Sequence, residues 1–241
     1  MQKFIIEPSF WDLFPRCEIG VLRIGGLDNT EEGCRVFRPQ ISAYLERANE
    51  EAKKYLADPQ LSLNPVVSVW REAFAAFKTK KGVRSSIEAL LKRVEKGKGV
   101  GPISPLVDLY NAVSLEYGLP CGVEDADTFV GDLRLAVTGG GDAFLALGDE
   151  ENDPTLPGEV CYLDGAGAVC RCWNWRDGQC TMLTENTKNA VAIIESIDPS
   201  RHADLQAALD ALAERVENVM GARVLAKRIL DRDCPELDLG R

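Results

Sequence analysis

The order of helical and strand-like segments predicts a layered α/β or α+β domain. Three observations carry this prediction. Up to Gly118 most apolar residues recur at helical spacing. From there to residue 194, short β-branched runs alternate with Gly and Asp turns. A final stretch, 199–220, returns to helical spacing.

Residues 3–7 read as a short strand, and Ser9 as the cap of a helical turn reaching residue 14. Residues 18–25 place Ile19, Val21 and Arg23 alternately in a second strand, which Gly25-Gly26 and Asp28-Asn29 break. Residues 39–57 form a polar helix with Ile41, Tyr44, Leu45 and Ala48 on one face. Asn64-Pro65 opens the next helix, which carries Val66, Val69, Trp70, Phe74 and Phe77 inward. Ser85 or Ser86 opens another, with Ile87, Leu90, Leu91 and Val94 at helical spacing. A Gly/Pro loop at 97–105 holds a soft lobe boundary near 97–101. Ser104-Pro105 then starts a helix whose inner face is Leu106, Leu109, Tyr110 and Val113.

Strands are expected at 133–137, 144–147, 159–163 and 169–175, with turns at Gly139-Gly140-Gly141 and Asp164-Gly165. The apolar run 190–194 fits a helix or a strand. The 199–220 helix has the stripe Leu205, Leu209, Leu212, Val216 and Val219, and Gly221 stops it. The sheet draws strands from both halves, so residues 1–241 are expected to form one domain.

The chain has 241 residues, of which 45% are hydrophobic, enough for a sizeable core. No apolar stretch approaches the ~20 residues of a membrane span. The opening MQKFIIEPSFWD has no long apolar run or small-residue cleavage site, so no signal peptide is expected. Eight cysteines in a chain of this size read as reduced thiols rather than a disulfide scaffold. The expectation is a cytoplasmic protein with no membrane partner. A net charge of −10 argues against tight nonspecific nucleic-acid binding. There is a local exception. Lys78, Lys80, Lys81, Arg84, Lys92, Arg93, Lys96 and Lys98 face only Glu88 and Glu95 between them. This basic island is either a solvated helix face with flanking turns or a contact for a phosphate backbone.

Candidate chemistry concentrates in two places. Asp108, Asn111 and Ser114 stand three residues apart on one helix, so Asn111 and Ser114 can address one region or simply tie the helix to a loop. After them, Pro120 and Gly122 lead into Glu124, Asp125 and Asp127, read as an exposed acidic turn, with one carboxylate available as a general base. The second place is 171–187. In a strand, Arg171, Trp173 and Trp175 share one face, and Cys172, Asn174 and Arg176 the other. That pattern serves a core face, or a pocket in which guanidinium and amide groups take phosphate or carboxylate and tryptophan stacks on a planar group. Thr181, Thr184 and Thr187 add hydroxyls or reflect strand propensity.

Cys161, Cys170, Cys172 and Cys180 lack paired CxxC spacing, so buried thiols are favoured over zinc, and no metal or cofactor is expected. The single histidine, His202, leaves a Ser-His or Cys-His engine without its base. No GxxxxGK[ST] or dinucleotide fingerprint occurs.

The segment LVDLYNAVSLEYGLPCGVEDAD at 106–127 resembles the VD-x-x-N-x-V-x-L-E-x-G-x-P helix and turn of phenylalanyl-tRNA synthetase β chains. GEVCYLDGAGAV at 158–169 and TENTKNAVAIIES at 184–196 are similar to the sheet that follows it, and residues 69–92 resemble freestanding members of the family. Those members consist of the tRNA-binding and editing (B3/B4) domain alone. The resemblance implies a layered sandwich with helices packed on a mixed β-sheet, and a cleft between helix and sheet. In the synthetase that cleft hydrolyses tyrosine wrongly attached to phenylalanine tRNA.

The family's Pro-x-His-x-x-Asp turn corresponds to Pro120 through Asp125, with Gly122 at the histidine position. Its Gly-Gly-Glu segment falls near Asn174–Asp177, where aromatic and basic residues stand. Nothing in these residues resembles the aminoacylation module, so ligase activity is not expected.

The resemblance implies tRNA as partner and a trans-acting deacylase of mischarged aminoacyl-tRNA. Asn111, Asn174 and Thr187 are then the expected catalytic groups. Ser114, Gly122, Glu124, Arg171, Trp173, Arg176, Thr181 and Thr184 bind the substrate, and Lys78, Lys80, Lys81, Arg84 and Lys92 bind the RNA. Hydrolysis would come from a positioned water and a polarised carbonyl. The alternatives are a noncatalytic module binding RNA or a small amino-acid-like ligand and, behind it, a zinc-dependent hydrolase.

Overall fold

A computed structural model describes residues 2–240. In chain order the elements are β1 (Lys3–Ile6), α1 (Pro8–Leu13), β2 (Glu18–Gly25), α2 (Arg38–Glu51), α3 (Pro65–Ala75), α4 (Ser86–Glu95), α5 (Pro105–Tyr117), β3 (Cys121–Asp125), β4 (Leu133–Val137), β5 (Val160–Leu163), β6 (Ala168–Arg171), β7 (Arg176–Asp177), β8 (Asn189–Ser196), α6 (His202–Met220), β9 (Arg223–Leu230) and β10 (Glu236–Asp238). They build two sheets. A six-stranded sheet runs β10-β1-β4-β5-β6-β7, and a four-stranded sheet runs β3-β8-β2-β9. The first is mixed, because β1 and β4 pair in parallel while its other pairs are antiparallel. The second is antiparallel throughout.

The apolar pattern of the central strands sets the layering. In β2, Ile19 and Val21 point one way, and Gly20, Leu22 and Ile24 the other. The first set joins Val191 and Ile193 of β8 in a core shared with Phe4, Ile6, Leu133, Leu135 and Val160 of the mixed sheet. The second set packs with Ala192 and Ile194 under Leu106, Leu109 and Val113 of α5 and Leu205, Leu209, Leu212 and Val216 of α6. A Cβ on Gly20 would lie 3.2 Å from Leu205 Cδ1, so the small residue lets α6 approach the strand. β2 and β8 are buried on both faces and therefore read as nearly continuous apolar runs. This resolves 190–194 as strand.

Helices α3 and α4 close the shared core from the side with Val67, Trp70, Phe74, Ile87 and Leu91. Ser85 caps α4, its Oγ accepting the Glu88 N–H at 3.3 Å. Such a cap contributes about 1 kcal/mol. Gly118 ends α5 in the left-handed region at φ 60°. A Cβ there would sit 2.8 Å from the Tyr55 ring, so the turn that launches β3 requires glycine.

Several local expectations are corrected. Of the acids expected in an exposed turn, Glu124 and Asp125 are buried, because β3 pairs with β8 along its whole length, while Asp127 is exposed in the 3-10 turn that follows. Residues 144–147 form no strand beyond the isolated bridge Ala146–Gly178. Side chains satisfy that loop instead, with Asn152 Oδ1 accepting from Phe144 N at 2.8 Å and Thr155 Oγ1 from Asp142 N at 3.0 Å. The strand expected at 169–175 stops at Arg171, because Cys172 and Trp173 take φ of 48° and 65°. The alternation of faces past Arg171 therefore does not exist. Ser9 lies inside α1 rather than capping it, and its Oγ accepts from Val137 N at 3.1 Å. The α-helix expected over 39–57 ends at Glu51 and continues as a 3-10 turn to Tyr55. Among the described residues, no helix is long and apolar enough to cross a membrane.

Candidate functional site

A cleft of about 550 Å³, its mouth included, opens between the two sheets. Strand alternation aims Gly122 and Glu124 of β3, and Ile193 and Glu195 of β8, into it from one wall. Tyr162 of β5, Cys170 of β6 and Asp177 of β7 line the other wall. Ser86, the first residue of α4, and the turn Trp173-Asn174-Trp175 complete it.

Glu195 is the centre of this arrangement. It is 2% exposed. Its Oε1 accepts the Tyr162 hydroxyl at 2.5 Å, and its Oε2 accepts the Asn174 amide N–H. The amide's other end is also used: Asn174 Oδ1 accepts from Ser86 N at 3.3 Å. Asn174 therefore bridges the start of α4 to the carboxylate on β8. Burial raises the Glu195 pKa to about 7, against the lowering effect of the bonds from Tyr162 and Asn174. A buried carboxyl titrating near neutrality in a cleft is a candidate proton-transfer group.

Two further carboxyls share the cleft. Burial pushes Glu124 well up, with Asp177 adding repulsion, although Thr181 Oγ1 donates to Glu124 at 2.7 Å. Asp177 is open to solvent as a residue, yet desolvation of its carboxyl raises its pKa as well. The thiols of Cys121 and Cys170, also on the lining, are pushed up by burial. They stay protonated at neutral pH and are poor nucleophiles.

Trp173 anchors one end of the cleft. Its ring is fully buried among Phe14 at 4.6 Å, Phe10 and Trp70 at 5.0 Å and Phe77 at 6.4 Å between centroids. Left-handed backbone at a bulky residue costs of order 1–3 kcal/mol and persists only where packing imposes it. Here the aromatic cluster does so. The indole Nε1–H lies near enough to Glu195 to favour its ionised form, but it completes no hydrogen bond within the described residues. Ser86 Oγ, likewise buried, has none either.

Of the residues singled out in the sequence, the cleft brings together Gly122, Glu124, Cys170, Trp173, Asn174 and Trp175. Thr181 supports Glu124. Thr187 Oγ1 donates to Asp125 at 2.7 Å and accepts from Thr184 N at 2.9 Å, so both threonines brace the end of β3. Asn111 and Ser114 are buried in α5 away from the lining, and Ser114 Oγ donates to Leu119 O at 2.6 Å. Arg171 turns away from the cleft. It forks onto Glu159 with two 2.8 Å bonds and reaches Asp153 at 2.9 Å. Arg176 pairs with Asp149 at 3.1 Å beside the Trp175 ring.

Lys80 pairs with Asp153, and Lys78 and Lys81 are exposed. Arg84 and Lys92 line a shallow hollow with Arg71, which is bound to Glu88 at 2.6 Å. The four cysteines of the 161–180 window do not converge. Cys161 and Cys172 lie against Glu159, Cys170 on the cleft, and Cys180 is exposed. No cluster of three or more metal-binding side chains occurs among the described residues. Glu195, Tyr162 and Asp177 were not singled out from sequence. An acid inside the apolar run NAVAIIES was the available signal for Glu195, since such a residue is buried with partners or functional.

Facing sheets, with helices on one of them and a carboxyl-lined cleft between, define an α/β sandwich built around that cleft. The sequence pattern of the B3/4 domain family matches residues 69–230, and the chain belongs to that family. It is 30% identical over 156 residues to the phenylalanine–tRNA ligase beta subunit of Latilactobacillus sakei, a match covering 53% of this chain and 19% of that protein. It is 36% identical over 91 residues to the corresponding subunit of Ruegeria pomeroyi, covering 38% of this chain and 11% of that one. The chain thus spans only a small part of these relatives' length. Its fold is similar to an N-terminal fragment of the phenylalanyl-tRNA synthetase beta-subunit from Pyrococcus horikoshii, with a TM-score of 0.50 at 12% identity over 97% of this chain and 53% of that one.

Proposed function

We propose that the chain is a tRNA-directed hydrolase that releases the amino acid from mischarged aminoacyl-tRNA in trans. The observation that carries this reading is Glu195, a buried carboxyl held by Tyr162 and Asn174 with a pKa of about 7 in the cleft. Family membership and relatives named as phenylalanine–tRNA ligase beta subunits support a tRNA-linked substrate.

In this reading ionised Glu195 takes a proton from a water as that water attacks the ester carbonyl. The tetrahedral intermediate collapses, the C–O bond to the ribose breaks, and the proton passes to the leaving ribose oxygen. The products are a free amino acid and deacylated tRNA. Asn174 positions Glu195, while Thr181 and Thr187 hold Glu124 and Asp125 in place. The basic segment runs from Lys78 to Arg84 and reaches the cleft two residues later at Ser86, so phosphates bound along it would bring an RNA end to the mouth.

The test is release of amino acid from a panel of mischarged tRNAs. Asn174→Ala is expected to slow release by about tenfold or more, and a panel left wholly intact by the wild-type protein contradicts the reading. A noncatalytic role binding RNA or an amino-acid-like ligand is the second reading. It is favoured by the two hydrogen bonds that already occupy Glu195.

A further inference from the structure

Two buried donors on the cleft lining complete no hydrogen bond among the described residues, although the Trp173 indole lies close enough to Glu195 to stabilise its ionised form. Trp173 Nε1 belongs to a side chain that is 0% exposed, and Ser86 Oγ lies on the same lining. Their neighbours are committed elsewhere. Asn174 Oδ1 takes the Ser86 N–H, and the two Glu195 oxygens already accept from Asn174 Nδ2 and the Tyr162 hydroxyl. Leaving a buried donor unpaired costs about 1–3 kcal/mol, so such groups normally mark a missing partner. An indole N–H can only donate. Whatever completes it must offer an oxygen or nitrogen lone pair, and an ammonium or a hydrocarbon cannot.

The two orphans share more than the cavity. Residues 173 and 174 are adjacent, and Asn174 is bonded to the Ser86 backbone, so one amide ties the turn carrying the indole to the helix start carrying the hydroxyl. The Trp173 ring is fixed by its aromatic neighbours and its left-handed backbone, so its N–H cannot swing to find a partner outside the cleft.

We propose that Trp173 Nε1 and Ser86 Oγ form a two-donor site for the carbonyl oxygen of the ligand's aminoacyl group. The assignment rests on the reading that the cleft receives such a group, and it adds which atoms hold the carbonyl. In an ester these donors polarise the bond that water attacks, and they strengthen as charge develops on the oxygen. They also exclude ligands that carry an amine and an aromatic ring but no carbonyl.

The test uses the purified full chain and two probes, phenylalaninamide and 2-phenylethylamine, which share ring and ammonium and differ in the carbonyl. Titration calorimetry measures both. The wild-type protein is expected to bind the amide more tightly. Ser86→Ala is expected to weaken the amide by about three- to tenfold and to change the amine by less than about twofold. Ser86→Thr, which restores the hydroxyl, is expected to recover most of the loss. Equal affinity of the wild-type protein for the two probes, binding of neither, or an amide affinity unmoved by Ser86→Ala overturns the assignment. The outcome is separable from that of the hydrolase reading. A protein that binds the amide through Ser86 but leaves every aminoacyl-tRNA intact keeps the donor site and loses the catalysis. A protein that deacylates tRNA with Ser86→Ala silent on probe binding does the reverse.

Discussion

Tyr162, on the mixed sheet, donates its hydroxyl to Glu195, on the antiparallel sheet, at 2.5 Å. The bond crosses the cleft and ties one sheet to the other in a region where both residues are buried. It also tunes the acid, since the hydroxyl stabilises the ionised form against the desolvation that raises Glu195. Tyr162→Phe is therefore expected to move the Glu195 midpoint further up, by about one unit. Carboxyl-labelled NMR titration measures the shift, and a midpoint left in place or lowered rejects this tuning.

The same acid makes stability depend on pH. Folded Glu195 keeps its proton to about pH 7, whereas the ordinary glutamate value is 4.5. Between those values the folded state binds more protons than the unfolded chain. Stability consequently falls as pH rises through this window, by roughly 3 kcal/mol for this group. Glu124 and Asp177, both raised, act with the same sign. Glu195→Gln cannot titrate, so its stability relative to wild type should improve from pH 5 to pH 8. Denaturant melts at the two values compare them directly, and a constant difference would mean that the wild-type carboxyl titrates normally.

Arg171 is expected to behave as a structural cation. It is fully buried against Glu159, with Asp153 at its far side and Lys80 beyond. Removing one member of a buried pair strands the other charge, so Arg171→Ala should cost about 3–5 kcal/mol of stability. If instead the variant melts like wild type and loses only ligand affinity, Arg171 serves the ligand as the sequence alone had suggested.

At position 122 there is room for a side chain. Gly122 faces the cleft, has no left-handed φ, and a Cβ there would meet nothing within 4 Å. Gly122→His, which restores the family motif's residue, should therefore fold with a stability change within about 1 kcal/mol. A larger loss on thermal melting shows that the cleft wall is tighter than this geometry.

RNA contact through the basic segment has its own signature. Lys81→Ala and Arg84→Ala should each weaken tRNA binding and flatten the salt dependence by about one unit of slope. Lys80→Ala should do less than Lys81→Ala, because Lys80 is already paired with Asp153. Binding that ignores salt, or no binding, would favour a small ligand.

Helices and central strands were legible because burial leaves a period in the sequence. The stripe on α6 and the double-faced run of β8 follow from the core they fill. The left-handed turn at Cys172–Trp173 left no such mark, since it arises from aromatic packing between segments distant in the chain. It changed which residues face the cleft: Asn174 and Trp173 arrive there, and Arg171 does not. Burial of Glu124 and Asp125 was hidden for a related reason. Acids suggest a solvated turn until Thr181 and Thr187 are seen supplying their hydrogen bonds from far along the chain. Glu195 depends on the same kind of convergence, with Tyr162, Asn174 and Ser86 meeting only in the folded protein.

The most direct test of the account is the pH dependence of single-turnover deacylation of a mischarged tRNA by the wild-type protein and by Glu195→Gln. Glu195 acting as the base predicts a wild-type rate that rises with pH around a midpoint near 7 and falls by at least about 10²-fold in the variant. A variant as fast as wild type, or a wild-type rate with no inflection near neutrality, would contradict it.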